Sequence, residues 1–425
     1  MNATGRDGRR SLLAFGAVTS LFFAWGFITS NNDPLIVALR AAFSLSYSEA
    51  LLTQIVFFLA YGLLSLPAAW LSSRIGAVDT ILGALALMAC GCLAVVASTN
   101  ADAFWPILAS LFVLAAGFTA LQVAANPLAA ELGPPERSHF RLNFAQAFNS
   151  LGVVLGVHFG SIVMLAGPVA LPQSGRQSAL LSAVDQAFLI MAALLATLLL
   201  LFLVLRKFLA KVVPGRPHVP SRMFEALGSR WAIFGAIAIG LYVGAEVSIG
   251  SIMINFLNQP QVLGLPLEAS GEYLANFYWG GALIGRLLGT LLLTRIRAAH
   301  LLAICSLVAT FLCAAVLTND GPVSGYAALA IGLFNSIMFP TIFTITLERS
   351  GVSPSATSGL LCLAIFGGAL LPITVGATAD RFGLGAAFVV PLAAYAVIVC
   401  FAVAARKSER LAISTEPEMS VSPIP

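Results

Sequence analysis

At 425 residues the chain is 59% hydrophobic and only 9% charged, where a soluble globular domain carries roughly 25% charged residues. So few charges cannot cover a water-facing surface of that size, which excludes a soluble enzyme or binding domain and makes lipid the expected solvent for most of the chain. The formal net charge of +4 has no basic and aromatic patch behind it, so no nucleic-acid partner is expected.

Apolar runs of about 20 residues, the length that crosses a hydrocarbon core, recur from end to end. In chain order they predict spans at 12–31, 49–71, 79–98, 104–126, 142–166 and 183–205 in the first half. The second half adds 231–256, 273–294, 300–318, 325–347, 357–378 and 385–405. Residues 1–10 are basic and precede the first run without a small-residue cleavage site, so the first helix is expected to be retained. The domain reading is an N-terminal six-helix bundle at 1–206, a cytoplasmic linker at 207–230, a C-terminal six-helix bundle at 231–410 and a disordered tail at 411–425. Pro214, Pro217 and Pro220 among basic residues suit a linker between bundles.

The placement of Lys and Arg tests the count, because a missed span would scramble their alternation between loops. Arg74, Arg137, Arg141, Lys207, Arg222, Arg286, Arg295, Arg349 and Lys407 fall with the rest of the basic residues on one side. Only Arg40, Arg176 and Arg381 fall on the other. The location this implies is a bacterial inner membrane, multi-pass, with both termini cytoplasmic. The six cysteines all sit inside apolar runs without metal-ligand spacing and read as small hydrophobes.

The halves share weak features of the kind that internally repeated transporters carry. The fourth span has Gly117, Asn126-Pro127 and Glu131; the tenth has Gly332, Phe339-Pro340 and Glu348-Arg349. Each reads as a proline-broken helix with an acid beyond. Gly152, Gly156 and Gly160 line one face of the fifth span, and Gly281, Gly285 and Gly289 one face of the eighth. Such stripes suit either close packing inside a half or a sliding seam between halves.

Polar groups inside the hydrocarbon are costly and by default functional. Asp33 is expected at the outer end of the first span and Glu246 in the middle of the seventh, equivalent helices of the two halves. Either carboxylate can take up a proton on one side and release it on the other. Their bland alternatives are a helix-ending Asn-Asp-Pro turn for Asp33 and a buried structural hydrogen bond for Glu246. Gln54, Gln122, Asn126, Asn143, Gln146, Asn149, Asn255, Asn276 and Asn335 recur at matching depths, with Trp25, Phe148, Tyr242, Tyr278 and Trp279 nearby. Amides offer donor and acceptor together for vicinal hydroxyls, and an aromatic face covers the apolar side of a pyranose. Each amide taken singly also suits interhelical bonding. His158 alone on its helix face reads as structural. No P-loop, H-E-x-x-H or G-x-S-x-G occurs, so neither an enzyme nor an ATP-driven pump is expected, and no cofactor or metal site either.

Five strings carry a resemblance: Phe22-Phe23-Ala24-Trp25-Gly26 with Asn32-Asp33, Leu121-Gln122-Val123-Ala124-Ala125-Asn126-Pro127, and Arg141-Leu142-Asn143-Phe144-Ala145-Gln146-Ala147-Phe148-Asn149-Ser150. The second half adds Tyr242-Val243-Gly244-Ala245-Glu246 and Gly332-Leu333-Phe334-Asn335-Ser336 with Phe339-Pro340. Over nearly its whole length the chain resembles the fucose:proton symporter family of the major facilitator superfamily, in its glucose/galactose transporter-like branch. The resemblance implies an all-α membrane protein with twelve transmembrane helices in two pseudo-symmetric six-helix bundles, a midplane cavity and alternating access. It puts the family's proton-carrying aspartate on Asp33 and its substrate-contacting glutamine on Gln146. The second functional acid of the fucose carriers falls on Gln122, a departure that favours the hexose branch, to whose pattern Glu246 belongs. The superfamily's cytoplasmic G-x-x-x-D-R-x-G motif is largely missing at Ala69, Ser73, Arg74 and Gly76. A better match, Gly376, Asp380, Arg381 and Gly383, follows the eleventh span on the outer side and is not assigned that role.

The expectation is therefore a secondary active transporter importing a hexose by proton symport, working as a monomer in the lipid bilayer. Proton coupling is expected at Asp33 and Glu246. The monosaccharide is expected at Asn32, Gln122, Asn126, Gln146, Asn149, Asn276, Trp279 and Asn335. Alternatives are sodium coupling, a fucose or N-acetylglucosamine cargo, a drug exporter, or a non-transporting nutrient receptor.

Overall fold

Backbone groups in hydrocarbon must be paired inside their own segment, which leaves helices as the only spanning form for apolar runs of this length. The computed structural model of the chain describes residues 3–45, 49, 52–100, 103–165, 173–212, 222 and 224–408, and every regular element among them is helical. The linker prolines Pro214, Pro217 and Pro220 and the tail 411–425 lie outside the described residues.

Twelve spans follow in order. The first is made of Ala3–Thr29 and Asn32–Phe43; the second is Leu52–Ile75, the third Ala77–Thr99, the fourth Phe104–Glu131, the fifth Ser138–Met164 and the sixth Gln173–Val212. The seventh is Arg230–Asn258, and the eighth runs through Leu267–Tyr273, a π-helical stretch Leu274–Trp279 and Gly280–Leu292. The ninth is Ala298–Thr318; the tenth joins Gly321–Asn335 to Met338–Arg349, the eleventh Pro354–Ala364 to Gly367–Phe382, and the twelfth is Val389–Lys407. Eleven of these are long and apolar enough to cross a membrane by composition alone. The eighth falls short because Asn276, Tyr278, Trp279 and Arg286 dilute its hydrophobicity, a sign that it faces something other than lipid. Starts are set by local chemistry: Ser229 Oγ accepts from the Ala232 amide at 3.2 Å and Ser353 Oγ from the Ala356 amide at 3.3 Å, with Pro354 at the first helical position.

Three expectations need correcting. The first span does not end at residue 31. The chain turns at Ser30 and Asn31, where Asn31 Nδ2 bonds the Phe27 carbonyl at 2.6 Å, and then resumes as Asn32–Phe43. Asp33 therefore sits in the first turn of a second helical segment, about 15 Å short of its far end at 1.5 Å per residue. The fourth span is not broken at Pro127 but runs continuously through it. The glycine stripes are packing surfaces within each half rather than a seam between halves. A Cβ added at Gly152 or Gly156 would strike the Phe23 or Phe27 carbonyl of the first span, and one at Gly285 the Leu333 carbonyl of the tenth.

The halves meet chiefly toward one end, the end that carries the chain's first described residues and Lys407. There the second span packs on the eleventh, and the fifth on the eighth and tenth. These contacts are carried by Pro354–Ala364 and Gly280–Leu292, whereas Gly367–Phe382 hardly touches the second span. Ser138 Oγ donates to Glu348 Oε1 at 2.8 Å, His139 Nε2 lies 3.2 Å from the same oxygen, and His139 Nδ1 is 2.5 Å from Thr344 Oγ1. The interior is thus closed toward the termini, and the halves are joined more sparsely at the opposite end.

One cross-half bond has a specific origin. Pro127 has no amide hydrogen, so the carbonyl four residues back, at Val123, has no helical donor. Ser358 Oγ of the eleventh span supplies one at 2.8 Å. In Ser358→Ala that carbonyl is orphaned only while this end is closed, so the closed form loses about 1–3 kcal/mol. Spin labels at positions 74 and 230 should report a larger population of long distances than in the wild type. An unchanged distribution would remove Ser358 from the latch.

Candidate functional site

The fourth and fifth spans place the amides of the first half. Gln122 and Asn126 are one turn apart on a buried face of the fourth span, and Asn143 and Gln146 share a buried face of the fifth. Gln122 Nε2 donates to the Tyr61 hydroxyl of the second span. Asn143 Nδ2 reaches His139 O at 2.9 Å and, across the halves, Thr341 Oγ1 at 3.4 Å. These bonds use only part of what the amides offer. Gln122 Oε1, both polar atoms of Asn126, Asn143 Oδ1 and Gln146 Nε2 are buried without a hydrogen-bond partner in the protein. Asn335 Oδ1 in the tenth span is the same. A buried polar atom left unpaired costs about 1–3 kcal/mol, so a set of them demands polar partners from outside the chain.

The second half builds a denser cluster. Tyr242 donates to Glu246 Oε1 at 2.7 Å, one turn apart on the seventh span. The Tyr278 hydroxyl donates to the Glu246 carbonyl at 3.3 Å and accepts from Asn335 Nδ2 at 3.1 Å, while Tyr395 accepts a longer bond from the same amide nitrogen at 3.5 Å. Three spans and the twelfth are joined by these hydroxyls, and all three tyrosines are fully buried.

Arg286 was expected on the side of the basic loops; instead it lies inside the eighth span. Its Nε donates to the Ser336 carbonyl at 3.0 Å, and Nη1 reaches the Gln146 carbonyl at 3.4 Å and the Ser150 hydroxyl. The Ser336 carbonyl is the one that Pro340 leaves without a helical donor. The guanidinium is also near enough to Glu246 for their charges to attract. Arg286 thus ties the acid of the second half to the glutamine helix of the first. It was recoverable from the sequence as an arginine between Gly285 and Gly289 in the interior of a predicted span.

Other expected residues lie apart from this centre. Asn149 Nδ2 donates to the Phe22 carbonyl at 3.0 Å, where Gly26 lets the first and fifth spans touch, so it works as an interhelical tie. Asp33 is exposed and its side chain makes no hydrogen bond or ion pair among the described residues; Asn32 Oδ1 is buried and unpaired. Asn31 and Pro34, on either side of Asp33, pack at Gly160, fourteen residues beyond Gln146 and so about 20 Å along the fifth span. Asn276 is exposed on the π-helical stretch, and Trp279, 42% exposed, stands edge-on to Tyr278 with ring centroids 5.0 Å apart. His158 bonds its own helix at Val154 O, 2.9 Å away, in line with a structural role. Gln54 is half-buried and Asn255 exposed, with no bond to the cluster. The six cysteines are free, and no group of metal-ligating side chains occurs among the described residues.

The charge arrangement makes a prediction. Arg286→Gln removes the positive charge that attracts the Glu246 carboxylate, and Glu246→Gln does the converse. Each should lower the free energy of unfolding by about 1–3 kcal/mol, less than for a fully buried pair because both side chains are half-buried. The double variant should recover most of that loss in thermal melts of the purified protein. Additive losses would show that the two side chains do not compensate one another.

Comparison with known proteins places the chain. The Major Facilitator Superfamily model matches residues 13–359. A glucose/galactose transporter of Brucella abortus biovar 1 (strain 9-941) is 39% identical over 399 residues, covering 93% of this chain and 94% of that protein. The L-fucose-proton symporter of Escherichia coli (strain K12) is 30% identical over 428 residues, covering 93% and 94%. Among solved structures, FucP in the outward conformation superposes with a TM-score of 0.84 at 27% identity, covering 94% of this chain and 100% of that one.

Proposed function

Because the chain belongs to the Major Facilitator Superfamily, in the branch that holds glucose/galactose transporters and L-fucose-proton symporters, we propose that it imports a hexose of the glucose/galactose type by proton symport with alternating access. It is a multi-pass membrane transporter and not an enzyme. The observation that carries the sugar reading is the set of buried amides at Gln122, Asn126, Gln146 and Asn335, each with at least one polar atom unpaired in the protein. A hexose presents a ring of hydroxyls, each both donor and acceptor, and so pairs with unpaired carbonyl oxygens and amide nitrogens alike. A drug-sized apolar cargo would leave those atoms orphaned. Trp279 supplies an accessible aromatic face for the apolar side of the ring.

On this reading the sugar enters from the sparsely joined end, which the placement of Lys and Arg makes the periplasmic side, with both termini in the cytoplasm. The sugar meets Gln146 and Gln122 from the first half and Asn335 from the second. Asn32 and Asn276 line its approach. Asp33, exposed and unpaired on that side, takes the proton. Glu246, held by Tyr242 and facing Arg286, is the second coupling acid. Movement of Arg286 away from Gln146 and Ser150 is then part of the step that opens the other end.

The test is Asp33→Asn in proteoliposomes. The variant should lose at least tenfold of the sugar accumulation driven by an imposed proton gradient and keep counterflow of labelled sugar at constant pH. Wild-type accumulation in the variant removes Asp33 from coupling. Accumulation that follows a sodium gradient at clamped pH makes sodium the coupling ion. Competition by glucose, galactose, mannose, fucose and N-acetylglucosamine identifies the cargo, and absence of counterflow with every one of them overturns the sugar reading.

A further inference from the structure

At the closed end of the bundle lies a cavity of about 490 Å³ that the transport reading does not use. Its size is that of a small-molecule site, for which about 300–1,000 Å³ is usual. The first half contributes Glu136 and His139, and the second half contributes everything else, from the ends of the eighth, tenth and twelfth spans and the start of the ninth. The cleft has this two-sided lining only while the halves are together at this end.

Its lining has a definite charge. Arg295, Arg297, Arg349 and Arg406 oppose the carboxylates Glu136 and Glu348. Glu348 is already held by Ser138, His139 and Arg349, and Arg349 is itself spent on Glu348, Ser408 and the Ala405 carbonyl. Arg295, Arg297 and Arg406 are different. They are exposed and bond no acceptor among the described residues. Between them, His300 keeps a buried Nδ1 with no hydrogen-bond partner. The ninth span starts at Ala298 without a side-chain cap, and Ala298 and Ala299 line the same cavity. The first amides of that helix and its dipole therefore add donors and positive potential. Three uncommitted guanidinium groups and an uncapped helix start around one small-molecule-sized volume are the donor set for a phosphate ester.

We propose that this cavity binds a phosphate-bearing anion, from a phospholipid headgroup or a soluble phosphate ester, and that its binding holds the two halves closed at this end. The second clause follows by linkage. A ligand whose site is assembled from both halves favours the state in which they meet, and so opposes opening toward the termini. The proposal is independent of which cargo crosses the membrane, since neither the amides nor Asp33 and Glu246 take part.

The test uses the full chain in nanodiscs with spin labels at positions 74 and 230. One arm compares phosphatidylcholine with phosphatidylcholine containing phosphatidylglycerol; the other adds glycerol 3-phosphate to phosphatidylcholine discs. The wild type should shift toward short distances, and its thermal midpoint should rise, with at least one of the two probes. Arg297→Gln combined with Arg406→Gln, both at exposed positions, should weaken the apparent affinity for that probe at least fivefold. Arg222→Gln, an exposed arginine outside the cavity, should respond as the wild type. A response to the lipid alone assigns the site to a headgroup, and a response to glycerol 3-phosphate alone assigns it to a soluble ester. No shift with either probe, or an undiminished shift in the double variant, overturns the site.

Discussion

Much of this architecture turns on two carbonyl oxygens. In hydrocarbon a helix has no water to satisfy a backbone group it cannot pair itself, and a proline always leaves one such group four residues back. Pro127 frees the Val123 carbonyl and Pro340 frees the Ser336 carbonyl, at matching places in the fourth and tenth spans. Each is answered by another helix: Ser358 Oγ at 2.8 Å in one case and Arg286 Nε at 3.0 Å in the other. What looks like damage to a helix is therefore a directed acceptor, and its donor fixes which helix must lie beside it.

The two answers differ, and the difference separates the roles of the halves. A serine hydroxyl is neutral and needs nothing more. A guanidinium inside a span brings a charge and spare donors, and these require further partners. Glu246 supplies the opposite charge, with Tyr242 bonded to its carboxylate and Tyr278 to its backbone, while Gln146 and Ser150 take the spare donors across the interface. Tyr278 is in turn bound to Asn335. The polar centre of the second half thus grows outward from one proline, and the first half joins it through a single side chain.

How much of this was legible in the sequence depends on what kind of statement a residue makes. Apolar length is a property of a segment, so the spans were readable from end to end, and amide chemistry is a property of a side chain, so Gln122, Asn126, Gln146 and Asn335 could be singled out. Partners are a different matter. The spacing of Gly152, Gly156 and Gly160 defines a face but not the neighbour, and the neighbour is the first span of the same half. Pro127 announces a missing donor, while the replacement comes from Ser358, 235 residues away. Arg286 was hidden by the very rule that established topology, because counting basic residues by side assumes that each one sits at an end. Tyr278 and Tyr395 carried no signal of their own, since an aromatic ring is at home in a membrane helix and only its hydroxyl partner gives it a role. Asp33 was read as the end of a span because an Asn-Asp-Pro turn ordinarily ends one; here Asn31 satisfies the Phe27 carbonyl and the helix resumes.

The distribution of contact types explains how one fold can be both rigid and mobile. Inside each half, backbone meets backbone at glycines where even a methyl group would collide, and such packing cannot slide by less than a whole residue without clashes. Between halves, beside the packing of the second span on the eleventh and of the fifth on the eighth and tenth, the polar ties are Ser138 and His139 to Glu348, His139 to Thr344, Asn143 to Thr341, Ser358 to Val123, and Arg286 to Gln146 and Ser150. A hydrogen bond of this kind is worth about 0.5–1.5 kcal/mol net, rather more when charged, because water replaces the partner when the interface opens. A tie of that size is one that differential binding of a small solute can offset, since a ligand shifts an equilibrium only by its preference for one state over the other. Because contacts are denser within the bundles than between them, the interface is the part that yields, and a solute held between Gln146 and Asn335 would act at that interface.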